Sequence, residues 1–322
     1  MKEINITAKD AGQRLDKYLK KYMPAAGSAF LYKMLRKKNI TLNGRKAEGK
    51  EILAEKDCIR IFFSEETFAK MRGQNREGAA AEAKSGRGRE AYRSLKEIIV
   101  VYEDEDLLFA NKPAGILSQS DESGALSLND WLLGYCRQQK KEDAFRPTVC
   151  NRLDRNTSGL VLCAKTYAGS RFLSDMIHEH KLRKTYLAVA EGVISGAGVL
   201  KGRLVKDRDK NMVQIIRQED TAEGSLVETR YQALETKAGY TLLEVELITG
   251  KSHQIRAHLA QTGHPLAGDL KYGGHRWHGY QSQCLHAYRV VFPKIENAFG
   301  RISGRCFECG APWMGEWNGH GS

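Results

Sequence analysis

The chain has 322 residues, with 51 Lys and Arg against 39 Asp and Glu, a formal net charge of +12 and a pI near 9.3. That length accommodates two domains, and the 41% hydrophobic content supplies a sizeable core. The positive surplus points to a polyanionic partner, nucleic acid before membrane, because no long apolar run, basic amphipathic stretch or signal-like start at MKEINITAKD is present. Seven scattered cysteines in a chain too large to need disulfide staples read as reduced thiols, so the expected setting is the cytoplasm.

Residues 1–63 hold 15 Lys and Arg against 7 Asp and Glu, so they carry +8 of the total charge. Leu15, Tyr18, Leu19 and Tyr22 fall on one face of a helix. Ser28 is placed to cap a second helix with Leu31, Met34 and Leu35 inward, and Arg36, Lys37 and Lys38 crowd its end. Ile40-Thr41-Leu42 then runs into the hairpin signal Asn43-Gly44, and Cys58 to Phe63 form a last strand. Concentrated cations on a compact α/β module read as an RNA grip. Through Arg14-Leu15-Asp16, the basic second helix, the strand at 40–44 and Asp57, the segment resembles the small RNA-binding module named after ribosomal small-subunit protein four.

Residues 64–94 are rich in Gly, Ala and charged residues, and are expected to form a flexible linker. The pattern from 95 to 300 is a second domain. Strands are predicted at Ile98–Tyr102, Leu107–Ala110, Leu160–Ala164, Thr185–Ala190 and Tyr240–Ile248. Helices are predicted around Phe172–Ile177 and over Ser252–Gln261, the latter closed by Gly263. Strands and helices without regular alternation give an α+β fold. Residues 301–322 read as a tail with a lone Cys306-Phe307-Glu308-Cys309 pair. One such pair lacks the second half of a zinc site.

Two polar clusters carry chemistry. In Asn151-Arg152-Leu153-Asp154-Arg155-Asn156-Thr157-Ser158-Gly159 one carboxylate lies between two arginines, just before a buried strand. Flanking cations favour an ionised carboxylate, as a nucleophile or base requires; capping a turn is the other role open to such an Asp. In Thr249-Gly250-Lys251-Ser252-His253-Gln254-Ile255-Arg256-Ala257-His258-Leu259 a helix opens after a strand. Its positive end and Lys251 suit a phosphate. His253 and His258 stand five apart rather than four, so they make no helical metal pair.

The stretches NKPAGILSQ (111–119), NRLDRNTSGLVLCAKT (151–166), RKTYLAVAEG (183–192), TGKSHQIRAHLAQTGHPLAGDLKYG (249–273) and QCLHAYRVVF (283–292) occur in order. On these the chain resembles the RluA-type pseudouridine synthases. The module in front matches the subgroup acting on large-subunit ribosomal RNA. The resemblance implies a mixed, largely antiparallel central sheet with flanking helices. It implies Asp154 as the catalytic aspartate, Tyr186 packed on the target base with a part in proton removal, and Arg256 paired with the carboxylate. Arg152 is implied to open the RNA; Lys251 and His253 join Arg36, Lys37 and Lys38 as candidate RNA contacts. The family's usual His is Asn151 here, which alters a neighbouring contact rather than the catalytic position.

The chemistry fits these residue types. Uracil detaches from ribose, turns and reattaches through carbon 5, so one carboxylate beside the anomeric carbon suffices. No step is redox, and neither cofactor nor metal is expected. Whether Asp154 attacks the sugar, attacks the base or removes a sugar proton stays open at this point. So do two other functions, a non-catalytic ribosome-assembly factor and a base-excising glycosylase. A monomer needing no obligate protein partner is expected.

Overall fold

The computed structural model describes residues 1–72, 78–138, 145–207, 212–217 and 223–319. Its amino-terminal module runs through strand β1 (Lys2–Asn5), helices α1 (Leu15–Tyr22) and α2 (Ser28–Arg36), and strands β2 (Ile40–Leu42), β3 (Arg45–Lys46) and β4 (Cys58–Ile61). The strands lie in the order β1-β4-β2-β3. Leu15, Leu19, Leu31 and Leu35 from the helices meet Ile40, Ile59 and Ile61 from the sheet, so helical and alternating spacings converge on one small core. Asn43 turns the β2–β3 hairpin at φ 51°, and its side chain accepts from the Cys58 N–H and donates to Asp57. Gly27 rather than Ser28 occupies the cap of α2; Ser28 is its first helical residue.

Residues 64–94, expected to lack structure, instead hold α3 (Glu65–Met71) and α4 (Gly78–Ser94); the expectation at 73–77 lies outside the described residues. Ser64 caps α3 by accepting from the Thr67 N–H. Phe68 and Arg72 both pack on the Tyr22 ring of the module. The end of α4 lies on α5 (Leu128–Gln138), where Tyr92 meets Trp131 and Tyr135. Arg87 donates to the Gly124 and Ala125 carbonyls and pairs with Asp130, so it is spent inside the fold. A Cβ on Gly134 would lie 2.0 Å from the Gly88 carbonyl oxygen. Glycine there lets two helices touch; in composition it looks like a signal for disorder.

The main sheet contains β5 (Ile99–Glu103), β6 (Leu107–Lys112), β7 (Thr148–Val149), β8 (Ser158–Ala164) and β9 (Arg183–Glu191). It continues with β10 (Ala197–Asp207), β11 (Met212–Ile216), β12 (Ser225–Lys237), β13 (Tyr240–Leu247), β14 (Leu285–Val291) and β15 (Cys306–Glu308). Its path is β11-β10-β12-β13-β9-β14-β8-β6-β5, with β7 on β8 and β15 on β14. Only β14 and β8 run parallel among the described pairs. This is the mixed, largely antiparallel sheet of an α+β fold. Every residue of β8 is buried, as a central strand covered on both faces must be. Leu108 and Ala110 face α5, while Leu107 and Phe109 face α6 (Tyr167–His178). Helix α7 (Gln254–Gln261) lies on the α5 side through Ile255 and Leu259.

The expected tail belongs to the sheet. Beyond β15, the short helix α8 (Met314–Trp317) buries Trp313 and Trp317 against Val189, Leu242 and Trp277. The module rests on the start of α6, where the Lys21 ammonium lies 4.3 Å over the Tyr167 ring and Lys9 pairs with Glu105 at 3.0 Å. Among the described residues no helix is long and apolar enough to cross a membrane.

Candidate active site

The loop 151–157 enters β8, and its backbone is fixed from several sides. The Ser118 hydroxyl donates to the Leu153 carbonyl at 2.8 Å and accepts from the Leu153 N–H at 3.0 Å. Asn151 Oδ1 accepts from the Leu162 N–H at 2.6 Å, so the residue where the family usually has His braces the strand. The Thr157 N–H closes the turn on the Asp154 carbonyl at 3.0 Å, and Gln283 donates to Thr157 Oγ1. At Gly159, φ 117°, a Cβ would lie 2.4 Å from the Ala287 carbonyl oxygen, so a side chain would push β8 off β14.

Below the loop sits a buried polar relay. His286 Nε2 lies 2.9 Å from the Cys309 carbonyl, which only accepts, so Nε2 carries the proton. Nδ1 of the neutral ring then accepts from the Ser158 hydroxyl at 2.8 Å. Burial holds the His286 pKa down to about 4.

Asp154 emerges from this frame with its side chain 26% exposed and facing α7. Arg256 comes from α7, but its fork is taken elsewhere. Nε and Nη2 donate to the two oxygens of Asp269 at 2.7 and 2.8 Å, and only Nη1 turns to Asp154 Oδ2, at 3.5 Å. Thus the expected Arg256–Asp154 pair is a secondary contact. Burial opposes the guanidinium charge, yet the Asp269 hydrogen bonds outweigh it and the pKa lies above the ordinary arginine value. Tyr272 stacks under Arg256, with the guanidinium 4.8 Å from its ring centre.

His253 precedes α7 in a left-handed conformation, φ 57°, so the helix begins at Gln254 rather than Ser252. Its Nδ1 lies 2.9 Å from the Tyr272 hydroxyl and its Nε2 3.7 Å from Asp154 Oδ2. Burial lowers its pKa against the pull of Asp154. His253 therefore belongs to the pocket wall as well as to its rim. His258 is buried deeper, bonded to Thr229 at 2.8 Å and pushed down to a pKa of about 4.

Tyr186 lies in β9, buried in the core patch that includes Leu153 and Ile255. Burial first, and the charge of Asp154 second, push its phenol above the ordinary range, so the hydroxyl is protonated at neutral pH. Beneath the loop, fully buried Lys112 donates to the carbonyls of Pro113, Ile116 and Arg155 at 2.9, 2.8 and 3.1 Å. Its ammonium ties the 113–116 turn to the Asp154 loop, although burial draws its pKa down to about 7 against the pull of Asp154.

Asp154, Tyr186, Arg256 and His253 are thus brought together, whereas Arg152 and Lys251 stand exposed at the rim. Arg36, Lys37 and Lys38 are exposed at the end of α2, in the other module. Asp269, Tyr272 and Lys112 have no role predicted from sequence, although all three lie in the family motifs. A signal existed for Asp269: it follows a glycine in a polar loop, 13 residues after an arginine that needs a partner. Among the described residues no group of three His, Cys, Asp or Glu side chains is placed to hold a metal. His320, the histidine nearest in sequence to the Cys306–Cys309 pair, lies outside the described residues.

The family described as RNA pseudouridylate synthase matches residues 106–261. The ribosomal large subunit pseudouridine synthase C of Rickettsia bellii is 33% identical over 291 residues, 89% of this chain and 91% of that one. Its counterpart from Salmonella typhi is 31% identical over 325 residues, covering 96% of each chain. Among solved structures, human RNA pseudouridylate synthase domain containing 4 shares the fold, with a TM-score of 0.58 at 22% identity over 71% of this chain and 94% of that one. With these relatives aligned along nearly its whole length, and its motifs gathered around one pocket, the chain belongs to the RluA-type RNA pseudouridine synthases.

Proposed function

We propose that the enzyme converts uridines of large-subunit ribosomal RNA to pseudouridine, with Asp154 as its catalytic carboxylate. The observation that carries this is the contrast between the pocket's two acids. Asp269 is 1% exposed and gives both oxygens to Arg256, while Asp154 is 26% exposed and, among the described residues, has only the long side-chain contacts from Arg256 and His253. Asp154 is therefore the carboxylate free to meet a sugar. Arg256, held by Asp269, stays 3.5 Å from Asp154 without covering it.

The target uridine must leave its stack to reach this depth. Tyr186 offers its ring to the extruded base, as aromatic platforms do for unpaired RNA. Because its phenol is protonated, it acts at rest as a neutral wall, and serving as base for the carbon-5 proton requires a partner such as Asp154. Arg152, exposed on the Asp154 loop, would enter the duplex. The relatives' names support a large-subunit ribosomal RNA substrate. The basic 1–63 module, of the type named after ribosomal small-subunit protein four, would grip that RNA through Arg36, Lys37 and Lys38. The catalytic unit would begin at α4 and run through β15 and α8 rather than end at 300, working as a monomer in the cytoplasm without a cofactor.

The test is mass-shifted mapping of pseudouridine in ribosomal RNA from cells with the gene, without it, and complemented with Asp154→Asn. Sites lost without the gene and not restored by the variant are expected in the large subunit. An unchanged map would refute the substrate, and restoration by the variant would refute the role of Asp154.

A further inference from the structure

Two lysines near the pocket, Lys112 fully buried and Lys184 half-buried, differ in one respect. Lys112 spends its ammonium on three carbonyls. Lys184, in β9, has no hydrogen bond, ion pair or ring contact for its ammonium among the described residues. Its neighbour Arg183 is satisfied by Glu246 at 2.9 Å. Side chains two apart on a strand share a face, so Lys184 lies on the face that carries Tyr186 and Ala188 toward α7. Its Nζ reaches the backbone leading into that helix: a Cβ on Gly250 would lie 3.5 Å from it. The next residue, Lys251, is an exposed second cation.

Withdrawing a cation from water without a counter-charge is unfavourable. Burial lowers the Lys184 pKa, and no acid offsets the effect. Lys184 stands two residues before Tyr186 on the same wall, with its ammonium toward Gly250. A cation so placed suits the anion each nucleotide carries outside its sugar and base.

We propose that Lys184, with Lys251 following Gly250, holds a backbone phosphate of the RNA strand beside the target nucleotide. The inference rests on the reading of Asp154 and Tyr186 as the seat of that nucleotide. Lys184 is then a positioning residue, and its contribution lies in binding rather than in bond making.

The test uses the full chain and an unmodified large-subunit ribosomal RNA transcript. Binding is titrated against KCl, and the single-turnover rate is read at saturating RNA from release of tritium on uridine carbon 5. For Lys184→Gln, one lost phosphate contact flattens the log–log salt slope by ~0.7–0.9 and weakens low-salt binding by roughly tenfold. Lys184→Arg keeps the slope. The saturating rate stays within about twofold of wild type, a change too small to mark a lost transition-state contact. The melting temperature of the Gln variant is unchanged or higher, since an unpartnered, half-buried charge is removed.

An unchanged affinity and slope would make Lys184 a merely solvated lysine and overturn the proposal. A loss of rate with affinity intact, or a lower melting temperature, would overturn it too, by placing the residue in the chemistry or in the structural frame. If wild type binds this transcript but does not isomerise it, the ribosomal assignment fails, while the slope difference still decides the phosphate site.

Discussion

Replacing Asp269 by Asn tests how the pocket holds its charge. The Arg256 side chain is 7% exposed and Asp269 1%, joined by hydrogen bonds of 2.7 and 2.8 Å. Removing one partner of a buried pair costs about 3–5 kcal/mol, because the remaining charge stays desolvated. Asn keeps one acceptor oxygen, so the lower end, about 3 kcal/mol, is expected. At roughly 2–4 °C per kcal/mol, the melting temperature should fall by about 6–12 °C. The freed guanidinium has a second acid already 3.5 Å away, Asp154. Closing on it would cover the carboxylate, with a loss in single-turnover rate of about 10–100-fold, or about 1.4–2.7 kcal/mol. Scanning calorimetry and the tritium-release assay read the two effects separately. The double variant Asp269→Leu, Arg256→Met should recover most of the stability and none of the rate, since an apolar pair of similar volume needs no counter-charge. An Asp269→Asn protein that melts and turns over like wild type would refute the idea that this pair supports Asp154.

Two further outcomes follow from the same structure. His258 and His286 are 1% and 0% exposed, with pKa values lowered by burial to about 4. The unfolded chain binds more protons below its ordinary histidine pKa near 6.5, so stability is complete above that value and falls as pH drops toward 4, by about 3 kcal/mol per residue. Urea midpoints between pH 7 and 4.5 should fall less steeply for His258→Leu than for wild type; equal slopes would contradict the neutral buried ring. Truncation to a chain beginning at Gly78 keeps the contacts of α4 with α5 and removes the module and its charge. It should weaken RNA binding and flatten its salt dependence, leaving the saturating single-turnover rate near wild type. A collapse of that rate in a folded truncated chain would mean that the module helps build the pocket.

Much of this was legible in the sequence because it is local. The α1 spacing, the hairpin at Asn43 and the apolar run of β8 each announce themselves within a few residues. The long strands β10 and β12 did not: most of their residues are exposed or half-buried, so their alternation is diluted by charge. Helix α4 was hidden by its glycines, one of which is needed only because Gly134 arrives from another helix. In the site, Asp154 was readable from its own loop, and the resemblance pointed to Tyr186 and Arg256. Lys112 was not readable. A lysine reads as surface, and its burial depends on three carbonyls that converge only in the fold. For the same reason Arg256 was matched to Asp154, when the better acceptor, Asp269, curves back from beyond α7.

The proposed function stands or falls on the chemistry of Asp154. Its most direct measurement is single-turnover tritium release by Asp154→Asn, at RNA concentrations shown by binding to saturate the protein. Wild-type affinity, an unchanged melting temperature within about 2 °C and a rate lowered by at least about 10³-fold are expected. A rate within about tenfold of wild type, a difference of only about 1.4 kcal/mol, would contradict the proposed function.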